Sequence, residues 1–84
     1  MASDMSYVPD QLDALLTRDR TAAALTERGF PTSPKSLATM ATRGGGPRFH
    51  RFGPRVLYRW GDALNWAERR LSPPMVSTSE ADAT

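Results

Sequence analysis

The side chains of this sequence that can do chemistry are guanidinium groups and hydroxyls, and they gather in its middle. From residue 28 to residue 59 stand Arg28, Lys35, Arg43, Arg48, Arg51, Arg55 and Arg59, without one carboxylate. A guanidinium presents a planar fork of donors that suits phosphate and guanine. Like charges at this density repel one another and destabilise a small fold unless a polyanion neutralises them. The net charge of +2 conceals the pattern because many of the acids sit elsewhere: Asp4, Asp10 and Asp13 lead the chain, and Glu80 and Asp82 close it. Between Arg18 and Arg70, eleven cations face four carboxylates, a local charge of +7. A phosphate-bearing polymer is the partner this implies. The plain alternative is a solvated basic surface, and the preference for Arg over Lys also fits the coding bias of a GC-rich genome.

Other chemistries are poorly supplied. With no cysteine there is no disulfide framework, thiol nucleophile or Cys-based zinc site. His50 is the only histidine, too few for a metal cluster or a catalytic pair. No nucleophile stands beside a base, and no carboxylate pair marks a pocket. Gly44 to Gly46 is expected to follow a helix and precede a strand, the reverse of a phosphate-cradling loop. An enzyme, a cofactor and a metal are therefore not expected. No apolar run nears the roughly 18 residues of a membrane helix, and no basic region followed by an apolar stretch opens the chain. The expected location is the cytoplasm, in association with the nucleoid. A chain of 84 residues, 39% of them hydrophobic, allows one small domain with a modest core.

The elements that must position these groups follow from spacing and punctuation. Residues 1–15 read as an N-terminal arm, loose as far as Pro9. Where it meets the domain, residues 10–16 place Leu12, Leu15 and Leu16 at the i, i+3, i+4 spacing of a short helical turn. Residues 16–71 form the domain. Thr17 is placed as an N-cap with Asp19 in the first turn of a helix over 18–28. Ala22 and Leu25 supply its apolar face, Gly29 ends it, and Phe30 folds back onto its last turn. Ser33 and Pro34 start a second helix over 34–42, with Leu37, Met40 and Ala41 on one face. Gly44 to Pro47 stops it.

A hairpin is expected next, residues 48–52 and 55–60 about the tight turn Gly53-Pro54. Alternation puts Val56, Tyr58 and Trp60 on one side of its second strand and Arg55, Leu57 and Arg59 on the other. A third helix then begins at Gly61 or Asp62 and carries Ala63, Leu64, Ala67 and Leu71, with Trp66 adjoining. Residues 72–84 are expected to be a disordered tail. The expected architecture is thus a small α+β domain, a winged helix-turn-helix of three helices and a two-stranded β-hairpin wing.

The stretches LLTRDRTAAAL, SPKSLATMATRGGGPRF and FGPRVLYRWGDALNWAERRL resemble the excisionase-type winged helix-turn-helix group, related to the MerR and AlpA families. The resemblance rests on Leu16-Thr17 and Ala22-Ala23 in the first helix and on Ser33-Pro34-Lys35-Ser36-Leu37 at the second. It continues through Gly44 to Phe49, Gly53 to Arg59 and Asp62 to Trp66, covering residues 16–71. The segment between Leu25 and Ser33 is longer than the family's usual tight turn. The resemblance implies a recombination directionality factor, or excisionase. Such a protein binds several sites on double-stranded DNA in an attachment region of a mobile element. It assembles along the DNA, bends it, and directs a partner integrase of the tyrosine recombinase type toward excision. A transcriptional regulator of mobile-element genes on the same fold is the alternative. A protein-interaction module whose basic face meets an acidic partner or RNA is a third.

On this plan the exposed face of the second helix enters the major groove with Lys35, Ser36, Thr39 and Arg43. Serine and threonine hydroxyls are multi-purpose groups, so modest base specificity is expected. The wing supplies Arg48, His50, Arg51, Arg55 and Arg59 for phosphates or the minor groove, with Arg55 beside the turn foremost. For Arg59 a salt bridge to Asp62 or Glu68 is the competing expectation. Arg18, Arg20, Arg69 and Arg70 either reach flanking phosphates or merely solubilise their helices. Phe49, Phe52, Tyr58, Trp60 and Trp66 are expected in the core; the rival reading stacks single-stranded bases on them.

Overall fold

The computed structural model describes residues 7–76. In chain order the elements are β1 (Leu15–Thr17), α1 (Arg18–Arg28), α2 (Pro34–Arg43), β2 (His50–Phe52), β3 (Arg55–Arg59) and α3 (Trp60–Arg70). The strands form one antiparallel sheet in the order β1-β3-β2. The result is a small α+β fold of three helices and a three-stranded sheet.

Local chemistry explains where the first two helices begin and end. The Oγ1 of Thr17 accepts the N–H of Arg20 at 3.2 Å, and Asp19 lies in the first turn of α1. The buried Thr21 hydroxyl donates to the Thr17 carbonyl at 2.7 Å. At the far end, the N–H groups of Gly29 and Phe30 bond the carbonyls of Thr26 and Leu25. These paired bonds are a Schellman ending, and they fold Phe30 back against the core. The long segment before α2 is closed by one side chain. Thr26 Oγ1 donates to the Thr32 carbonyl at 3.0 Å and accepts the Thr32 N–H at 3.1 Å. Ser33 then caps α2 by accepting the N–H of Ser36 at 3.0 Å, with Pro34 in the first turn.

The hairpin turns as its residues dictate. Phe52 pairs with Arg55, leaving Gly53-Pro54 as a two-residue loop. Gly53 has φ +62°, whereas the proline ring holds φ negative, so the loop follows the II′ pattern that suits strand twist. The strand before it starts at His50 and not at Arg48.

The N-terminal stretch departs from expectation. Leu12, Leu15 and Leu16 do not form a helical stripe. The chain makes a turn closed by Ala14 N–H on the Gln11 carbonyl at 3.3 Å, then runs as β1 alongside β3. The β2–β3 hairpin is therefore two strands of a three-stranded sheet. Three residues are too few for a period-2 pattern to show, and the edge of β3 outbids a helical spacing that has only one turn to offer. This turn also belongs to the domain, because it caps α3. No side chain caps that helix; the N–H groups of Trp60 and Gly61 donate instead to the carbonyls of Ala14 and Leu12, at 2.9 and 2.7 Å. With donors satisfied that way, α3 starts at Trp60, one residue ahead of the expected boundary.

The core has two connected parts. Ala24, Leu25, Trp60, Ala63 and Ala67 form one, and Ala22, Leu37 and Tyr58 form the other, with Trp66 packed against both. Alanines at the crossing of α1 and α3 let the helices approach, and the rings of Tyr58 and Trp60 fill the space beneath. Two expected core residues are not in it. Phe52 is 72% exposed at the hairpin tip, and Leu71, beyond the end of α3, is 65% exposed. Phe49 lies at the margin, its ring centroid 6.1 Å from that of Tyr58. Residues 72–76 have no regular element; the rest of the expected tail, and the first six residues of the arm, lie outside the described residues.

Candidate nucleic-acid interface

The cation-bearing surface is built on α2, the hairpin and the end of α3. Leu37 anchors α2 to the core with Met40 half-buried beside it, which leaves Lys35, Ser36, Thr39 and Arg43 exposed on the remaining faces. Ser36 is partly engaged: its Oγ accepts from the Ser33 hydroxyl at 3.1 Å, so its own O–H is what it can offer a base. Thr39 has an exposed side chain. Arg43 sits in the last turn of α2, where the helix dipole favours a cation.

The strand register sorts the hairpin side chains onto two faces. Leu16, Arg51, Val56 and Tyr58 share the face that carries the core. Leu15, Thr17, His50, Phe52, Arg55, Leu57 and Arg59 share the other. Arg51 and Arg55 thus stand on opposite sides of the hairpin tip, both exposed, and straddle it. His50 is exposed on the outer face. Arg59 is different. It is half-buried, and one of its terminal N–H groups donates to the Asp13 carbonyl at 3.0 Å, 46 residues away in sequence. Its partner is a backbone oxygen of the turn that caps α3, in place of the expected Asp62 or Glu68 carboxylate.

Arg48, exposed on the linker before β2, lines a hollow of about 350 Å³ with Asp62, Asn65 and Arg69 of α3. On the other side of α3, Arg70 shares a shallow groove of about 370 Å³ with Ser33, Lys35, Ser36, Thr39 and Met40. Arg70 also lies over the Trp66 ring, 5.0 Å from its centre, a cation–π contact that holds the guanidinium in place. Sequence reasoning left Arg69 and Arg70 without a definite place. The signal for Arg70 was its i, i+4 spacing from Trp66; its nearness to α2 is visible only once the helices pack. Arg18 is turned inward, its Nε 3.3 Å from the Tyr58 hydroxyl.

Among the described residues no group of three or more His, Cys, Asp or Glu side chains is placed to hold a metal, and no helix is long and apolar enough to cross a membrane. The arrangement offers hydrogen-bond donors and positive charge around the hairpin tip and the exposed face of α2. No protein-family model, curated protein or solved structure matches the chain significantly.

Proposed function

We propose that this chain is a double-stranded-DNA-binding protein of the winged helix-turn-helix kind, acting as an excisionase. On this reading α1 and α2 are the helix-turn-helix, and the β2–β3 hairpin is the wing. The face of α2 with Lys35, Ser36, Thr39 and Arg43 enters the major groove. Arg51 and Arg55 take the walls of the adjacent minor groove, and Arg48 and Arg70 take flanking phosphates. Arg59 is a brace between the sheet and the turn before β1, not a principal phosphate contact.

One observation carries the reading. The acid-free run from Arg28 to Arg59 exposes Lys35, Arg43, Arg48, Arg51 and Arg55 around α2 and the hairpin, while Tyr58 and Trp60 lie beneath with under 3% of their surface exposed. Such a surface gains from a polyanion, since the run itself holds no carboxylate and Asp62 is the only one lining the hollow beside Arg48. The exposed hydroxyls on α2 make adaptable rather than stringent base contacts. Specificity then comes largely from DNA shape and from several protein molecules on adjacent sites. That suits an architectural protein that bends an attachment region for a partner integrase.

The test is electrophoretic mobility with duplexes carrying one site or several adjacent sites, followed by an excision assay with the integrase. Cooperative binding, bent DNA and a log–log salt slope of about −5, as for six neutralised phosphates, are expected. A salt-independent affinity would overturn DNA binding. Independent binding to unbent DNA, or a promoter effect without an effect on excision, would overturn the excisionase role.

A further inference from the structure

The residue at the hairpin tip is out of keeping with a purely ionic wing. Phe52 is the last residue of β2, directly opposite Arg55 across the two-residue turn, and it is 72% exposed. The neighbouring Phe49 behaves otherwise, leaning on the buried ring of Tyr58. The immediate surroundings of Phe52 are Arg51 in sequence, Arg55 across the strand pair, and the Gly53-Pro54 turn. A bare phenyl ring beside Arg55, with Arg51 on the opposite face of the same hairpin tip, combines electrostatic attraction to a phosphate backbone with a flat apolar edge.

We infer that Phe52 is a DNA-distorting wedge: on binding, its ring enters a base-pair step from the minor groove and partly unstacks it, while Arg51 and Arg55 hold the phosphates on either side. The inference rests on the DNA reading above and adds to it where the bend originates. Apolar side chains inserted from the minor groove kink a duplex toward the major groove. Pyrimidine–purine steps unstack most readily, so the wedge selects a TA or CA step without any hydrogen bond to a base. The geometry suits insertion, because the II′ turn fixes the tip rigidly and charge complementarity favours this occupant. A neutral protein partner would leave Arg51 and Arg55 facing a surface that gives them nothing.

The test uses the full chain and a short duplex recovered by its binding from a randomised pool, with 2-aminopurine replacing each adenine in turn. This base brightens when it loses its stacking neighbours. One position is expected to brighten several-fold with the unaltered protein. Phe52→Ala returns that position to the level of free duplex and straightens the DNA in a phasing assay. Its affinity falls by less than about tenfold, since the unstacking cost disappears with the contact. Phe52→Leu keeps much of the signal, because an apolar wedge needs bulk more than aromaticity. The residue is exposed, so neither variant should lower the melting temperature. Equal brightening with Phe52→Ala, or none at any position with the unaltered protein bound, overturns the wedge. A loss confined to association between protein molecules on DNA overturns it as well. Failure to retain any duplex is a separate result, which defeats the DNA reading itself.

Discussion

The indole Nε1 of Trp66 donates to the carbonyl oxygen of Gly45 at 2.7 Å. This bond ties α3 to the linker that carries the chain from α2 into the hairpin. Gly44, Gly45 and Gly46 have no side chains with which to hold themselves, so this indole fixes the linker, while Leu37 of α2 and Tyr58 of β3 hold the two candidate binding elements to a shared core. The same ring carries the Arg70 guanidinium beside the α2 groove.

Replacing Trp66 with phenylalanine keeps an aromatic ring and removes the donor. A hydrogen bond of this kind contributes about 1 kcal/mol, and the exposed Gly45 carbonyl can turn to water, which holds the cost near the low end. A fall in melting temperature of about 4–8 °C is expected for each kcal/mol in a domain this size. The larger consequence should appear in binding. A freed linker lets Arg48 and the entry to the hairpin shift, so affinity for duplex drops more than stability does. Thermal melts and mobility shifts on the same sample check this; a stability loss without a binding loss would leave the linker clamp without function.

Gly61→Ala tests the cap of α3. A Cβ at this position would lie 3.0 Å from the Leu12 carbonyl oxygen and 3.3 Å from the Leu12 Cβ. Alanine favours a helix by about 1 kcal/mol over glycine, so propensity and contact oppose each other. The contact should win. The Leu12 oxygen is held at 2.7 Å by the N–H of Gly61 itself, and it cannot retreat without stretching that bond. A net destabilisation of about 1 kcal/mol is expected from denaturant melts; a stabilised variant would show that the turn before β1 yields freely.

Much of this was legible in the sequence wherever one residue decides a local conformation. Thr17, Ser33-Pro34, Gly29 and Gly53-Pro54 each set a boundary within their own few residues, and the helices and hairpin follow. What depends on a distant partner was not legible. Leu15–Thr17 is a strand only because β3 offers an edge, and Arg59 meets Asp13 only because β1 lies beside it. Arg70 reaches the α2 groove only because α3 crosses there. Phe52 was readable in principle. A two-residue loop fixes it opposite Arg55, and Arg55 lies on the side away from Tyr58; counting aromatic rings toward the core obscured that alternation.

Arg55 and Arg59 lie on the same face of β3, four residues apart, and should respond differently to removal. Arg55 is exposed at the tip, and Arg59 is half-buried with a backbone partner. Arg55→Ala is expected to weaken binding to every duplex and to lower the salt slope by about 0.9, the signature of one lost phosphate contact. It should leave the melting temperature unchanged. Arg59→Ala is expected to do the reverse, costing about 1 kcal/mol of stability through the lost bond to Asp13 while the slope stays as it was. Salt titrations of both variants beside their melts decide the matter. A reduced slope for Arg59→Ala would return that residue to the phosphate contacts.

Thr39 and Arg70 share one groove beside α2 and are expected to divide its work. Thr39 is short and uncharged, with a hydroxyl and a methyl that can meet a base edge or a thymine methyl. Its removal should relax preference at one or two base positions and change affinity for unrelated sequences little. A lost base contact is worth about 1–3 kcal/mol at the position it reads. Arg70 carries charge held in place by Trp66, a geometry suited to a phosphate at the flank of the groove. Arg70→Ala should therefore weaken all sequences alike and lower the salt slope, with the base preferences intact. Binding selection from a randomised duplex pool, run with the unaltered chain and each variant at two salt concentrations, separates the effects. Relaxed sequence preference in Arg70→Ala, with uniform weakening in Thr39→Ala, would mean that α2 lies across the groove in the opposite sense, with its N-terminal end on the backbone and the end of α3 over the bases.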